Sequence, residues 1–189
     1  VYTYTLENFV SSIHTQAKVF LYTQKLRFDS FRMIRPIAPD DTTALIALAN
    51  MTGLFEPKQL EELGEILSDY FATNSSNRFW IVDDDNGLVG VAYCEMERMT
   101  DGTWNLQLIA IRPDCQGQGR GATLLHHVER MLTTNGGRVL LVETSGLPDF
   151  ERTRAFYSKC GYDEEARIRD FYKVGDDKIV YRKVLSAPG

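Results

Sequence analysis

The stretch from Ile109 to Ala122 reads IAIRPDCQGQGRGA and joins a predicted strand to a predicted helix. Three glycines, Gly117, Gly119 and Gly121, fall within five residues at that junction. Glycine lets the backbone turn sharply and approach a ligand closely, and the first N–H groups of a helix lack internal partners and attract anions. We therefore predict that Gln116–Gly121 is an anion-binding loop that holds the phosphates of a cofactor. A tight turn without a ligand is the alternative.

Two common phosphate-binding motifs fit this loop less well. A P-loop would need Lys and then Ser or Thr after the second glycine, and neither residue is present. The dinucleotide fingerprint is matched by Gly117, Gly119 and Ala122, with Glu143 near the expected ribose-binding acid. In that fingerprint, however, the first glycine closely follows the strand, whereas residues 112–116 intervene here. The dinucleotide interpretation is therefore the weaker one.

Outside the loop, the pattern of apolar residues and turn signals predicts one strand, two helices, three strands, a helix, a strand, a helix and two strands. This order indicates an α/β (α+β) fold around one mixed, mostly antiparallel sheet of six to seven strands, with about four helices. We assign residues 31–189 to this single domain and residues 1–30 to an N-terminal extension of uncertain structure. The predicted strands and helices are Phe31–Ile37, a helix ending near Asn50, a helix from Pro57, Arg78–Val82, Leu88–Met96, Trp104–Ile111, the helix after the loop, Val139–Val142, Pro148–Cys160, Ala166–Tyr172 and Lys178–Val184.

Two local motifs resemble those of a known family. The pattern Gln116-x-x-Gly119-x-Gly121-Ala122 after a strand is similar to the signature of the GNAT superfamily of acetyl-CoA-dependent N-acetyltransferases. The segment from Ala155 to Tyr162, AFYSKCGY, resembles the family's recurring A-x-Tyr-x-x-x-Gly-Phe/Tyr segment. Because the element order also fits, the resemblance covers all but the first thirty residues.

The resemblance implies a coenzyme A site. The loop N–H groups would hold the pyrophosphate, and the strand end before the loop would splay from the next strand and pair with the pantetheine arm. Acetyl-CoA would be the acyl donor, and no metal is expected. Phe150 stands where the family often carries an Asn that contacts the pantetheine arm, so we expect no such contact here. The predicted cofactor-binding residues are Ile109, Ala110, Ile111, Gln116, Gly117, Gln118, Gly119, Arg120, Gly121 and Ala122.

Acetyl transfer from a thioester to an amine needs a proton acceptor for the amine and a proton donor for the departing thiolate. The resemblance places Tyr157 near the sulfur, which makes its phenol the candidate acid; a core aromatic is the alternative. Glu143, at the end of a buried strand, is the candidate base and would act through a water relay. Its alternative is a strand-end carboxylate that faces solvent or caps Ser145 and Gly146. The strands before the loop add polar candidates for orienting or attracting the amine: Asn105, Gln107, Glu95 and Glu97.

Composition sets limits on partners. The net charge of −5 disfavours nucleic acid, whose phosphates need a basic face, and it suits a cationic substrate. No apolar run approaches the roughly 20 residues that cross a bilayer, so we expect no membrane partner. Three widely spaced cysteines favour reduced thiols and a cytoplasmic location. We expect direct attack by a small-molecule or peptide amine and leave a homodimer open; a catalytically silent acyl-CoA-binding sensor or regulatory module is the alternative.

Overall fold

The computed structural model describes residues 32–53, 55–73 and 75–185 of the protein. The predicted N-terminal extension, residues 1–30, lies outside the described residues, and the domain boundary at residue 31 stays a prediction. Within the described part, seven strands and four α-helices occur in the predicted order. They are β1 (Met33–Pro36), α1 (Thr42–Thr52), α2 (Pro57–Ala72), β2 (Arg78–Asp84), β3 (Leu88–Met96), β4 (Thr103–Ile111), α3 (Arg120–Thr134), β5 (Val139–Ser145), α4 (Glu151–Lys159), β6 (Asp163–Lys173) and β7 (Asp176–Val184).

All seven strands form one sheet in the order β1-β2-β3-β4-β5-β7-β6. Only β4 and β5 run parallel among the described pairs, because the helix α3 returns the chain to the same end of the sheet. The prediction of a mixed, mostly antiparallel sheet with four helices is therefore confirmed. One predicted element is different: the helix expected over Pro148–Cys160 begins with a separate 3-10 turn, Pro148–Phe150, and its α-helical part is shorter.

The sheet separates two apolar cores. On one face, α1 and α2 cover β1 to β4, and the buried side chains include Leu48, Leu67 and Trp80. On the other face, α3 and the segment around α4 cover β3, β4, β5 and β7. The apolar stripe of α3 is buried there: Leu124, Leu125, Val128 and Leu132, with Met131 partly buried. Each helix pair thus shields one face and leaves the strand ends near α3 accessible.

A β-bulge at Gln107 changes which face the residues of β4 occupy. Tyr93 and Cys94 are adjacent on β3, but they pair with Leu108 and Leu106 on β4, so Gln107 is an extra residue. Before the bulge, Leu106 packs in the core under α3; after it, the next even-numbered residues, Leu108 and Ala110, pack in the core under α1 and α2. The C-terminal half of β4 is therefore turned over relative to the N-terminal half.

The strands β4 and β5 separate near the middle of the sheet. Their pairing runs from Thr103 opposite Val139 to Leu106 opposite Val142 and then stops. Beyond that point β4 stays with β3, and β5 stays with β7, where Glu143 pairs with Val180. A V-shaped gap therefore opens between the C-terminal ends of two central strands.

Candidate functional site

A cavity of about 540 Å³ lies at the end of β4. We call it the loop cavity, because nine of the ten predicted cofactor-binding residues line it, all except Gln118. The start of α3 forms one wall and α4 forms another. The lining residues are Thr52, Ile109, Ala110, Ile111, Gln116, Gly117, Gly119, Arg120, Gly121, Ala122, Arg152, Thr153 and Phe156. The stretch that the sequence singled out thus borders a large open space.

The loop presents unpaired backbone donors to this cavity. Gly117 (φ +72°) and Gly119 (φ +77°) adopt the left-handed conformation, and a Cβ on either would meet nothing within 4 Å. Among the described residues, no hydrogen-bond partner is found for the N–H groups of residues 117–122. The first N–H to be paired is that of Thr123, which donates to the Gly119 carbonyl at 3.0 Å. Six successive free donors at a helix start form a concave anion-binding surface, which the helix dipole reinforces.

The polar side chains of the loop bind the protein itself. The Gln116 amide donates to the Ile111 carbonyl at 3.0 Å, and the Gln118 amide donates to the Asp114 carbonyl at 3.0 Å. The Arg120 guanidinium donates to the fully buried Asp83 at 3.3 Å and also to Asp85. Hydrogen bonding to Asp85 raises the pKa of Arg120. Two carboxylates therefore balance the charge of Arg120, and the free donors of the loop are its backbone N–H groups.

The gap between β4 and β5 offers further backbone groups. The Arg112 N–H donates to the Val89 carbonyl. In an antiparallel pair every second residue bonds to the neighbouring strand, so this bond shows which residues of β4 bond to β3. Ile109 and Ile111 then fall at positions that do not bond to β3, so their backbone groups point toward β5. Since pairing with β5 has ended by this point, these groups border the gap, apart from the Ile111 carbonyl that Gln116 occupies.

Sequence reasoning missed the α4 wall of the loop cavity. Arg152, Thr153 and Phe156 line it from α4, and the Phe156 ring lies 3.5 Å from where a Cβ on Gly121 would be. Their spacing of one and three residues is that of one helix face. The spacing of these residues was therefore visible in the sequence. It did not show which face of α4 turns toward the core, and the structure shows this by burying Tyr157. Arg152 is an exposed cation on the wall opposite the loop.

A second cavity, of about 580 Å³, lies on the face covered by α1 and α2. We call it the α2 cavity. Three carboxylates, one guanidinium and two stacked aromatic rings line it. Of its lining residues, the sequence analysis names only Glu95 and Gln107 as candidates for orienting or attracting the amine. The lining residues are Phe55, Leu63, Glu65, Ile66, Asp69, Arg78, Trp80, Tyr93, Glu95, Gln107 and Leu108. It reaches Gln107 and Leu108 on β4, and the loop cavity begins at the next residue, Ile109.

Tyr157 lies in the core and lines neither cavity. Its side chain packs edge-on against Phe156 and Tyr162, with ring centroids 5.2 and 5.8 Å apart, and the residue is only 4% exposed. Burial raises the pKa of Tyr157, so the phenol is neutral at physiological pH. The hydroxyl makes no hydrogen bond to any residue in the described part of the chain. It is not fully enclosed by the protein either. By contrast, the Tyr162 hydroxyl donates to Glu129 at 2.9 Å.

Glu143 lies at the position where β4 and β5 separate. It follows Val142, the last residue of β5 that pairs with β4, and it therefore sits on the α2 side of the sheet. Its carboxylate is about one-third exposed and is 2.5 Å from Lys178 Nζ. It lines neither cavity. Glu143 thus lies where β4 and β5 separate and already has a cationic partner.

No group of three or more His, Cys, Asp or Glu side chains in residues 32–53, 55–73 and 75–185 could hold a metal ion. None of the helices in those ranges is long and apolar enough to span a membrane.

Comparisons with known proteins agree on one family. Residues 75–164 match the family described as acetyltransferase (GNAT) domain. A GNAT-family protein from Desulfovibrio desulfuricans is 30% identical, with a TM-score of 0.78, over 82% of this chain and 99% of that one. The Escherichia coli ribosomal-protein-S18-alanine N-acetyltransferase is 20% identical, with a TM-score of 0.67, over 84% of this chain and 97% of that one. An aminoglycoside 6'-N-acetyltransferase complexed with coenzyme A is 16% identical, with a TM-score of 0.66, over 83% of this chain and 99% of that one. Among curated proteins, none matches the chain significantly.

Proposed function

Since this chain belongs to the GNAT family of acetyltransferases, we propose that it transfers an acetyl group from acetyl-CoA to a primary amine. The observation that carries the proposal is the run of six unpaired N–H groups, residues 117–122, beside the open loop cavity. A pyrophosphate is an anion that such a donor surface at a helix start can bind. The fold it shares with a transferase that was solved with coenzyme A supports the same choice.

We assign the remaining cofactor contacts from the two walls of the gap. The backbone groups of Ile109 and Ile111 would pair with the amide-bearing pantetheine arm, as a strand would. Arg152 would face the phosphates across the loop cavity, a role that Arg120 does not fill because Asp83 and Asp85 bind its guanidinium. When bound, acetyl-CoA supplies an acyl group that is activated as a thioester.

Two residues of this chain would move protons in the reaction. Tyr157 would donate the proton of its hydroxyl to the departing coenzyme A thiolate, and its raised pKa keeps the hydroxyl protonated until then. Glu143 would accept the proton of the amine through water, from the point where β4 and β5 separate. The proposed mechanism is direct attack, without a covalent enzyme intermediate.

We further propose that the acceptor is a small-molecule or peptide amine. The related folds include enzymes named for an aminoglycoside, for spermidine and for a ribosomal protein, so the fold itself is compatible with acceptors of very different size. A cytoplasmic location agrees with the three cysteines, all of which are free. We also propose that the catalytic domain spans residues 31–189 and that a homodimer is a candidate assembly.

The deciding experiment is a thiol-release assay with acetyl-CoA and a panel of primary amines, combined with calorimetry of acetyl-CoA, coenzyme A and NAD. We expect tight binding of both coenzyme A species, no binding of NAD, and release of free thiol with at least one amine. Binding without turnover for the whole panel would indicate the acyl-CoA-binding sensor or regulatory module instead. Binding of NAD but not of coenzyme A would overturn the proposed cofactor.

A further inference from the structure

The α2 cavity carries a net negative charge. Glu65, Asp69 and Glu95 line it, and Arg78 is the cation among the lining residues. Asp69 and Arg78 balance each other, because Arg78 Nη2 lies 2.6 Å from Asp69 Oδ2. Within the described part of the chain, no Lys, Arg or His forms an ion pair with Glu65 or Glu95. Arg78 lies opposite Glu95 on the neighbouring strand, but its guanidinium is bound by Asp69, so neither Glu65 nor Glu95 has an ion pair of its own among the described residues.

An aromatic wall lies beside these carboxylates. Trp80 and Tyr93 stack with ring centroids 4.1 Å apart and an interplanar angle of 12°. The Tyr93 hydroxyl donates to Glu95, which fixes the carboxylate at the edge of the stack. Aromatic faces attract cations, and a nearby carboxylate strengthens that attraction. Because Trp80 and Tyr93 are only 1% and 7% exposed, the edge formed by the Tyr93 hydroxyl and Glu95 is the part of the wall that a positively charged group can contact.

Within residues 32–53, 55–73 and 75–185, two buried polar atoms on the same face of the sheet have no hydrogen-bond partner. They are Trp80 Nε1 and Asn105 Oδ1, on residues that are 1% and 4% exposed. Trp80 lines the α2 cavity, and Asn105 pairs across the strands with Glu95. The Asn105 amide nitrogen donates to Glu97 at 3.1 Å, which turns the oxygen away from that carboxylate. Since buried polar groups are nearly always paired, the unpaired Asn105 oxygen beside Glu95 indicates a ligand that donates a hydrogen bond, as an ammonium does. Trp80 Nε1 is itself a donor and does not call for a cation.

The α2 cavity also adjoins the loop cavity. Leu108 lines the α2 cavity and Ala110 lines the loop cavity, and both residues lie on the face of β4 under α1 and α2, so the two spaces are neighbours along β4. An amine in the α2 cavity would therefore reach the acyl group at the junction.

We propose that the α2 cavity selects acceptors that carry a second positively charged group besides the attacking amine, and that Glu65 and Glu95 hold this second group. The inference rests on the proposed function, because the α2 cavity becomes an acceptor site only if the loop cavity holds the acyl donor. The cavity is selective because a monoamine offers the two carboxylates no ion pair. A second positively charged group on the acceptor supplies that ion pair.

The test compares putrescine with butylamine, two amines of equal chain length that differ by one ammonium group. We expect a kcat/KM that is higher for putrescine by about tenfold or more, the factor expected for one charge-assisted hydrogen bond. Glu65→Gln should lower the kcat/KM of putrescine about fivefold more than that of butylamine, the upper range for an ion pair with an exposed carboxylate. Glu61→Gln is the matched control, because Glu61 is exposed on α2 and does not line the cavity.

Calorimetry of the two amines separates this inference from the proposed function. If no amine is acetylated but putrescine binds more tightly than butylamine and loses that advantage in Glu65→Gln, the preference of the α2 cavity for a second cation stands and the proposed transferase activity falls. If butylamine is acetylated and bound as well as putrescine, or if Glu65→Gln affects both amines equally, the inference is overturned while the transferase activity stands.

Discussion

The loop cavity and the α2 cavity adjoin each other, yet they are built from different parts of the polypeptide. The loop cavity presents backbone: glycines, unpaired N–H groups and a strand edge, nearly all from residues 109–122. The α2 cavity presents side chains from α2, β2, β3 and β4, such as Glu65 and Glu95, which are 30 positions apart in the sequence. A surface made of backbone needs glycine and a helix start, so it leaves a local sequence motif. A surface made of side chains can vary without changing the fold.

The largest expected effect tests the backbone surface. Gly119→Val should weaken acetyl-CoA binding at least about 100-fold, since loss of two charge-assisted hydrogen bonds of about 1.5 kcal/mol each gives that factor. The valine would also resist the left-handed conformation of Gly119. Calorimetry measures the affinity, and thermal unfolding shows whether the variant folds.

Gly136→Val is the control for backbone strain. Gly136 has a φ of +82°, an added Cβ there also meets nothing within 4 Å, and it lies at the opposite end of α3. Both variants should lose similar stability, and only Gly119→Val should lose affinity. Equal acetyl-CoA affinities in the two folded variants would show that the loop does not hold the phosphates.

The next effect tests Tyr157 as the proton donor. Tyr157→Phe removes only the hydroxyl, so it should lower kcat at least about tenfold and leave acetyl-CoA affinity unchanged. Because burial raises the pKa of Tyr157, its ionisation should produce no alkaline fall in kcat below about pH 10. Measurements under conditions where chemistry limits the rate would check both expectations.

Tyr162→Phe provides the comparison, because the Tyr162 hydroxyl is bonded to Glu129. It should lose about 1 kcal/mol of unfolding free energy, the usual value for one hydrogen bond, and keep its kcat. Wild-type turnover in Tyr157→Phe would make Tyr157 a core aromatic, which is the alternative that the sequence left open.

A smaller effect is expected for the α4 wall. Arg152→Gln should raise the Kd of acetyl-CoA about fivefold at low salt, the upper range for an exposed ion pair. The loss should shrink as salt rises, because screening already weakens the wild-type contact. Lys159→Gln, an exposed change on the same helix outside the cavity, should have no effect. An unchanged salt dependence in Arg152→Gln would leave the phosphate contacts to the backbone alone.

The smallest effect is expected at Glu143. Glu143→Gln should lower kcat about threefold, less than a typical direct base, because the residue acts through water and is already paired with Lys178. Glu165→Gln, an exposed change on β6, is the control. If Lys178→Met alters kcat as much as Glu143→Gln does, the ion pair matters rather than proton transfer.

The contrast between the cavities also explains which features of the fold and the site could be predicted from the sequence. The glycines of the loop, the buried stripe of α3 and the order of strands follow from local rules, and all are found in the structure. The bulge at Gln107 was not predicted, because an extra residue in β4 becomes visible only against β3. The partners of Arg120 were missed for a similar reason: Asp83 and Asp85 lie more than thirty positions away in sequence. The charge of the α2 cavity likewise depends on which helix face α2 turns toward the sheet.

The separation of β4 from β5 has a consequence for local stability. Ile109 belongs to a central strand, where amide hydrogens normally exchange slowly with solvent, but its N–H points into a gap without a strand partner. In the unliganded protein this amide should exchange as fast as one in a loop, while that of Ala110, which faces β3, stays protected. A bound molecule that pairs with β4 would close the difference. Hydrogen exchange at two adjacent residues can therefore report occupancy of the gap without any turnover.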